Sequence, residues 1–249
     1  MKRLRVDGFT LIEIAIAVVV IALLLGSLLG PLSVRIEQAD RQKTQAMLDE
    51  TKEALYGFAL ANGRLPCPDT DGDGSENRTG GVCTGGVVVG NLPWVDLAVP
   101  ELDAWGRRFR YRVTPSYADA ISQNTVAPPP PPGLPTPPCT TTPAQASFAL
   151  CSDGDITIRD GDATILGTTE ITTEVAAVVI SHGKHRFLPA DASPHEDENF
   201  DDSSIAGDTL RTFVSRDYTG GTGEEFDDLV VWISPLILKN RMIMAGKLP

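Results

Sequence analysis

GFTLIEIAIAVVV, residues 8–20, places a single carboxylate, that of Glu13, near the start of a long apolar run. An Asp, Lys or Arg side chain at the centre of a membrane helix costs about 2.5–3.5 kcal/mol, so an acidic residue here suggests a function. Residues 14–34 carry no charge, and as a helix they would be about 31 Å long. Because the apolar core of a bilayer is about 30 Å thick, we predict a membrane-spanning helix over residues 9–34.

A short basic leader precedes this run. Residues 1–8, MKRLRVDG, carry three basic side chains and one acidic side chain. The positive-inside rule keeps such an end in the cytoplasm and sends the following chain across the membrane. The whole chain of 249 residues has a net charge of −12, so its exported part is acidic and repels phosphate backbones. Nucleic acid is therefore not an expected partner.

Together, the basic leader, Gly8, Phe9 and Glu13 resemble the class III signal of type IV pilins and type II secretion pseudopilins. In that family a membrane peptidase cuts after the glycine and N-methylates the new first residue. The resemblance implies cleavage between Gly8 and Phe9, N-methylation of Phe9, and an assembly role for Glu13 as the fifth mature residue. It also implies three kinds of partner: other pilin-type subunits, the prepilin peptidase and the inner-membrane assembly platform.

The expected cleavage gives Glu13 a physical purpose. It would create a cationic amine at Phe9 within an apolar region, and Glu13 lies four residues on, about 6 Å along a helix. In a helical filament the amine of one subunit can pair with Glu13 of a neighbour. Such a pair relieves two poorly solvated charges and sets the axial register. The alternative is that Glu13 lies at the membrane interface and has no such partner.

Helical spacing of apolar residues continues to about Ala61, where Asn62-Gly63 and Pro66 end it. The rest of the head, which we place at residues 35–249, consists mainly of predicted strands and loops. We predict strands over 107–113, 174–181 and 227–234, a hairpin from 147–150 and 155–159, and a helix from Pro235. The expected fold is α+β, with a long N-terminal helix packed on an antiparallel sheet, as in pilins.

A second local resemblance lies in the head. DAWGRRFRY, residues 103–111, is similar to the Asp-Pro-Trp-Gly-x-x-x-x-Tyr stretch of major pseudopilins, with Ala104 in place of the proline. This stretch would form a tight turn at Gly106 that leads into the first strand, with Trp105 buried over the long helix. The alternative is a generic turn and strand.

Four cysteines lie beyond the apolar run, at Cys67, Cys83, Cys139 and Cys151. An even number after a membrane-crossing signal predicts two disulfides in an oxidising compartment. Three connectivities are possible, and we favour 67–83 with 139–151 because each pair brackets a loop-like segment. Four free thiols are the alternative.

The segment PCPDTDGDGSEN, residues 66–77, matches the first half of an EF-hand calcium loop, D-x-D-x-D-G. The twelfth loop position is Gly80, so the usual bidentate glutamate is absent. The alternative is an acidic turn built on side-chain hydrogen bonds, without a metal. The candidate calcium ligands are Asp69, Asp71, Asp73, Ser75 and Asn77.

Three further segments carry weaker signals. Residues 191–202 are rich in carboxylates, which predicts a solvated loop, with a second calcium site as the alternative. Residues 128–143 are rich in proline and predict a polyproline II spacer or a partner-binding loop. His182 and His185 favour a turn at the end of a strand, because catalytic zinc normally takes three protein ligands.

The sequence contains no nucleophile elbow and no phosphate-binding loop, so we do not expect an enzyme. We predict a structural subunit, minor because of its size, of a type IV pilus or type II secretion pseudopilus. It would be inserted in the inner membrane with its head in the periplasm. One alternative is a pilus-tip adhesin or substrate-binding subunit that uses the calcium- and proline-rich loops. Another is a membrane-tethered hydrolase that uses His182 or His185.

Overall fold

A computed structural model describes most of the chain, and it divides the chain into two compact units, Met1–Gln42 and Lys43–Pro249. For residues 25–33 and for Pro194, only the backbone is described. The described residues are 10–119, 146–161, 167–184, 193–200, 211–219 and 226–248.

One long helix, α1 (Leu11–Asn62), supplies residues to both units. It ends where the sequence predicts, because Gly63 takes a φ of +72° while its N–H still donates to the carbonyl of Ala59 at 2.8 Å. Of the helices in the described residues, none combines the length and the apolarity that crossing a membrane requires. The membrane span that we place at residues 9–34 therefore stays a prediction.

The head contains nine strands and four short helices in its described residues. The strands are β1 (Arg78–Thr79), β2 (Val82–Cys83), β3 (Val89–Asn91), β4 (Arg110–Val113), β5 (Ile156–Arg159), β6 (Glu170–Val175), β7 (Ala177–Ser181), β8 (Thr212–Val214) and β9 (Leu229–Ile233). The helices are α2 (Trp94–Leu97), α3 (Pro115–Ala118), α4 (Pro194–Phe200) and α5 (Pro235–Met244), with a 3₁₀ turn at Thr84–Gly86.

Two sheets and a small hairpin organise these strands. The larger sheet has the order β3-β4-β7-β9 and is antiparallel throughout. The smaller sheet has the order β6-β5-β8, with β5 antiparallel to β6 and parallel to β8. Strands β1 and β2 form a separate two-stranded ribbon. The expected α+β class with an antiparallel sheet is confirmed.

The larger sheet is covered on both faces. Alternate residues of a strand point to opposite faces, so Tyr111 of β4 and Val179 of β7, which lie opposite each other, share the face that packs on α1. From α1 this core receives Leu48, Leu55, Tyr56 and Ala59. The other face contributes Val178 and Ile180 to a second cluster with Ile156, Ile158 and Phe213 of the smaller sheet. Strand β7 is consequently buried along its whole length.

The DAWG stretch forms the expected tight turn. Gly106 has a φ of +79°, and one oxygen of Asp103 accepts the backbone N–H of Trp105 at 2.9 Å and that of Arg107 at 2.8 Å. The N–H of Ala104 donates to the hydroxyl of Thr44 on α1 at 3.2 Å, which ties the turn to the helix. Trp105 packs against the head core but is only partly buried. Because Arg107 belongs to this turn, β4 begins at Arg110 rather than at residue 107.

Two predictions about strands are wrong. Residues 147–150 do not form a strand, because Phe148 is instead packed into the core against the ring of Tyr117, with 4.9 Å between ring centroids. The predicted continuous strand over 174–181 is divided between the two sheets. The break falls at Ala176, between β6 and β7, and Glu174 near the end of β6 has a φ of +60°.

Candidate functional site

The first turns of α1 present an apolar surface with one carboxylate in it. The carbonyl of Thr10 accepts the N–H of Glu13 at 3.1 Å and that of Ile14 at 3.2 Å, so Glu13 lies in the first turn. Glu13 is exposed, and Leu11 beside it is 88% exposed. Large apolar side chains that are also exposed follow as far as residue 24: Ile12, Ile14, Ile16, Val18, Val19, Val20, Ile21, Leu23 and Leu24.

An apolar surface of this extent is unusual on a soluble monomer and marks a contact with other proteins or with lipid. Of the sequence-predicted signal residues, the structure places Glu13 on this surface. Gly8 and Phe9 lie outside the described residues.

A disulfide closes the acidic loop of the head. Cys67 and Cys83 are both buried and are joined by a bond of 2.07 Å, with 5.3 Å between their Cα atoms. This is the first of the two favoured pairings. Cys151 is also disulfide-bonded, whereas Cys139 lies outside the described residues.

Asp69 organises the turn inside this loop. Its side chain is fully buried, and its two oxygens accept the backbone N–H groups of Gly72 at 2.6 Å, Asp71 at 3.2 Å and Gly74 at 3.2 Å. Its own N–H and carbonyl are paired with Asn91 at 2.9 and 2.8 Å. These hydrogen bonds hold the loop against β3, and they are those of an Asx-type turn.

Three of the five candidate calcium ligands converge. Oxygens of Asp69, Asp71 and Asp73 lie within 4.8 Å of one another, and Asp71 and Asp73 are exposed. The amide oxygen of Asn77 instead accepts the N–H and hydroxyl of Thr70, at 2.6 and 2.9 Å. The amide group of Asn77 donates to Asp71 at 3.1 Å, and this hydrogen bond lowers the pKa of Asp71. The side chains thus supply three oxygens of the six to eight that calcium takes.

Glu76 could have supplied a further calcium ligand, but its carboxylate is paired with Arg64 and Cys67 instead. Its carboxylate accepts two hydrogen bonds from Arg64, one of them at 2.7 Å, and one from the N–H of Cys67 at 3.0 Å. Burial raises the pKa of Glu76, but the hydrogen bonds and charge of Arg64 outweigh it and hold the pKa below its ordinary value. Sequence reasoning missed this pair, because nothing in the local pattern links the end of α1 to a loop residue.

A second carboxylate cluster lies at the start of β9, where α4 meets the residues that precede the strand. Oxygens of Glu196, Asp227 and Asp228 lie within 4.8 Å of one another. Asp228 is almost fully buried, and it accepts a hydrogen bond from Asn199 at 2.8 Å and faces the Nδ1 of His182 at 3.4 Å. The N–H of Asp227 donates to Glu196 at 2.9 Å.

This cluster only partly matches the sequence prediction. The segment 191–202 was expected to be a solvated loop, but its described part forms helix α4 with Asn199 fully buried. The partner acids Asp227 and Asp228 were missed because they belong to the sequence predicted as the strand over 227–234. The only hint of this cluster in the sequence was the pair of adjacent acidic residues directly before an apolar strand. His185 and residues 128–143 lie outside the described residues.

Comparison with known families identifies a motif in the N-terminal segment. Residues 3–29 match the prokaryotic N-terminal methylation motif. The chain carries a class III signal. This is the signal segment of type IV pilins and pseudopilins, and the resemblance drawn from the sequence is confirmed for these residues. No curated protein and no solved structure matches the chain significantly.

The class III signal coincides with the exposed apolar surface of α1. The matched residues include Gly8, Phe9 and Glu13, and they extend along the apolar half of the helix. The match covers residues 3–29 alone, and it supports an N-terminal segment like that of pilin and pseudopilin precursors, which in general are processed by a peptidase and assemble with other such subunits. The cleavage point and the methylated residue themselves stay predictions.

Proposed function

We propose that this chain is a structural subunit of a type IV pilus or type II secretion pseudopilus and is assembled through the apolar first half of α1. One observation carries the proposal: the class III signal overlaps an exposed apolar stretch of α1, residues 11–24, that holds a single carboxylate. A surface of this kind is stable only when lipid or other apolar helices cover it. A subunit that leaves the membrane for a filament is covered first by lipid and then by the apolar helices of other subunits.

In this proposal Glu13 guides assembly. The peptidase cuts between Gly8 and Phe9 and methylates Phe9, and the new amine is cationic. Glu13 of a neighbouring subunit pairs with that amine inside the apolar helix bundle. A charge that is buried without a partner is strongly unfavourable, so the pair favours one axial position over others.

The proposal also places the precursor in the inner membrane, with residues 35–249 in the periplasm. A disulfide between two buried cysteines of the head fits an oxidising compartment. The proposed role is assembly rather than catalysis, and the partners are the prepilin peptidase, the assembly platform and other pilin-type subunits. The large head favours a minor position over that of the most abundant subunit.

A pilus-tip adhesin or substrate-binding subunit is the second candidate. It is favoured by the disulfide-closed loop, in which three carboxylates converge and two of them are exposed. This candidate shares the same processing and assembly, and it differs only in giving the head a ligand.

Mass spectrometry of the amino terminus tests the proposal. The protein from membranes of cells that have the prepilin peptidase should begin with N-methyl-Phe9. The same chain from cells with an inactivated peptidase should keep its first eight residues and serves as the control. An intact leader in the cells with active peptidase would contradict the proposal.

A further inference from the structure

Helix α5 has an exposed apolar face that the head itself does not use. Leu238 and Met242 of α5 are fully buried in the head core. The opposite face carries Leu236, which is 78% exposed, and Met244, which is 82% exposed. Ile237 and Ile243 are also exposed on this side, and Asn240 is its polar member. Leu236, Asn240, Ile243 and Met244 follow the spacing of one helical face.

The cationic side chains of α5 do not lie on this apolar face. Arg241 forms a two-point ion pair with Glu53 of α1, at 2.7 and 3.0 Å, and its guanidinium stacks on the Tyr56 ring at 4.1 Å. Lys239 is half-buried, where the charges of Asp153 and Glu174 act on it. Docking on anionic lipid needs cations that are free to meet headgroups, and α5 does not offer that arrangement.

Charge also argues against a second head as the partner. The chain has a net charge of −12 although its leader is basic, so two heads repel each other. The apolar face spans residues 236–244, about 12 Å of helix, whereas a stable dimer buries about 800 Å² on each partner. The face is therefore too short to hold two subunits together alone and fits a contact that another interface supports.

We propose that this apolar face of α5 docks the uncharged N-terminal helix of a neighbouring pilin-type subunit. Such a helix is not repelled by the acidic head, and in this chain the corresponding residues 14–34 carry no charge. The inference rests on the proposed assembly function, which brings the helix of a neighbour beside the head. The contact is heterologous, head to helix, and contacts of that kind generate open filaments.

Ile237→Asp in the full-length protein tests the contact, because it places a carboxylate on the apolar face. Asp at this position, in the first turn of α5, interacts favourably with the helix dipole, and thermal unfolding of the full-length variant separates a loss of assembly from a loss of folding. Ile171→Asp on β6 is the matched control, since Ile171 is 47% exposed and Ile237 is 46% exposed. We expect Ile237→Asp to reduce incorporation into filaments at least about tenfold, and Ile171→Asp to leave it unchanged. Equal incorporation of both variants would overturn the proposal.

A photo-crosslinking residue at Met244 in assembling cells identifies the occupant. We expect an adduct with a peptide from the apolar N-terminal helix of another pilin-type subunit; mixed isotopic labelling distinguishes a second copy of this chain. An adduct with lipid, with the 235–248 segment of another copy or with a head surface would overturn the proposal, as would no adduct in protein that has assembled. If the wild-type chain is neither processed nor incorporated, the proposed function fails instead, and the two failures are thus distinguished.

Discussion

Arg112 of β4 and Asp155, which precedes β5, form a two-point ion pair that connects the two sheets of the head. Their Nη–Oδ distances are 2.8 and 2.9 Å, and the side chain of Arg112 is 3% exposed. Asp155 also accepts the hydroxyl of Thr114 at 2.7 Å. Arg112 lies opposite Val178, so the pair is on the face of the larger sheet that carries the second apolar cluster.

Neutralising Asp155 should destabilise the head strongly. Asp155→Asn leaves the buried Arg112 without its charged partner, and breaking a buried pair costs about 3 kcal/mol or more. Glu101→Gln is the matched control, since it removes the same charge from the exposed pair with Arg108, which is worth at most about 1 kcal/mol. Denaturant unfolding of the full-length protein in detergent measures both. Equal losses in the two variants would contradict the buried role of Asp155.

The contribution of Asp155 should also depend on pH. Burial raises the pKa of Asp155, but the hydrogen bonds and charge of Arg112 outweigh it and hold the pKa below the ordinary value. A carboxyl whose pKa is lowered on folding stabilises the protein above about pH 4 and loses that contribution as the pH falls through its folded pKa. The difference in unfolding free energy between wild type and Asp155→Asn should therefore shrink from pH 7 to pH 2.5. A difference that stays constant with pH would argue against this linkage.

Removing the Cys67–Cys83 bond should lower stability by about 3 kcal/mol, the loop-closure value for a loop of this length. The double variant Cys67→Ala, Cys83→Ala is preferred to chemical reduction, because a reductant also acts on the bond of Cys151. Unfolding free energy and proteolysis between residues 69 and 80 are the measurements. An unchanged midpoint and an unchanged cleavage rate would show that the loop is held by Asp69 and Arg64 alone.

Glu13→Gln should be inserted and processed as the wild type is, yet be largely absent from filaments. The variant keeps the shape of the side chain but removes the charge that pairs with the amine of a neighbour. Glu50→Gln, an exposed glutamate on the same helix, is the control and should assemble normally. Amounts in sheared filaments and in membranes are compared by immunoblot. Undiminished incorporation of Glu13→Gln would rule out the pairing role.

The acidic loop allows its structural role to be separated from calcium binding. Asp69→Ala should destabilise the loop with or without calcium, since Asp69 accepts three backbone N–H groups. Asp73→Asn should be nearly neutral in chelator, because Asp73 is exposed. The calcium interpretation predicts that calcium raises the melting temperature of the wild type and does so less for Asp73→Asn. A midpoint that is the same in calcium and in chelator would leave the loop as an Asx turn.

Local signals in the sequence predicted much of this fold. Asn62-Gly63 marked the end of α1, and the strand predicted over 107–113 contains β4, because capping and strand alternation depend on neighbouring residues. The class III signal was recognised for the same reason.

Local sequence patterns could not predict contacts between residues that are distant in sequence. Arg112 alternates with apolar residues as a solvent-facing residue would, yet a second sheet covers it and Asp155 neutralises it. Strand β5 was assigned to a hairpin with 147–150, whereas its real neighbours are β6 and β8. Likewise, Asp228 contacts Asn199 and His182, which are distant from it in sequence and come close only when the chain folds.

The packing of α5 has a kinetic consequence. Leu248, which follows this helix, is buried in the same core as Leu48 of α1, so residues about 200 positions apart in the sequence close one core. Contacts between such distant positions form slowly, because a long stretch of chain must first be brought together. In a chain exported as proposed above, from its N-terminal side, this core closes only after residue 248 has crossed the membrane. Until Leu248 is in place, the apolar side of α1 that packs in this core stays partly uncovered.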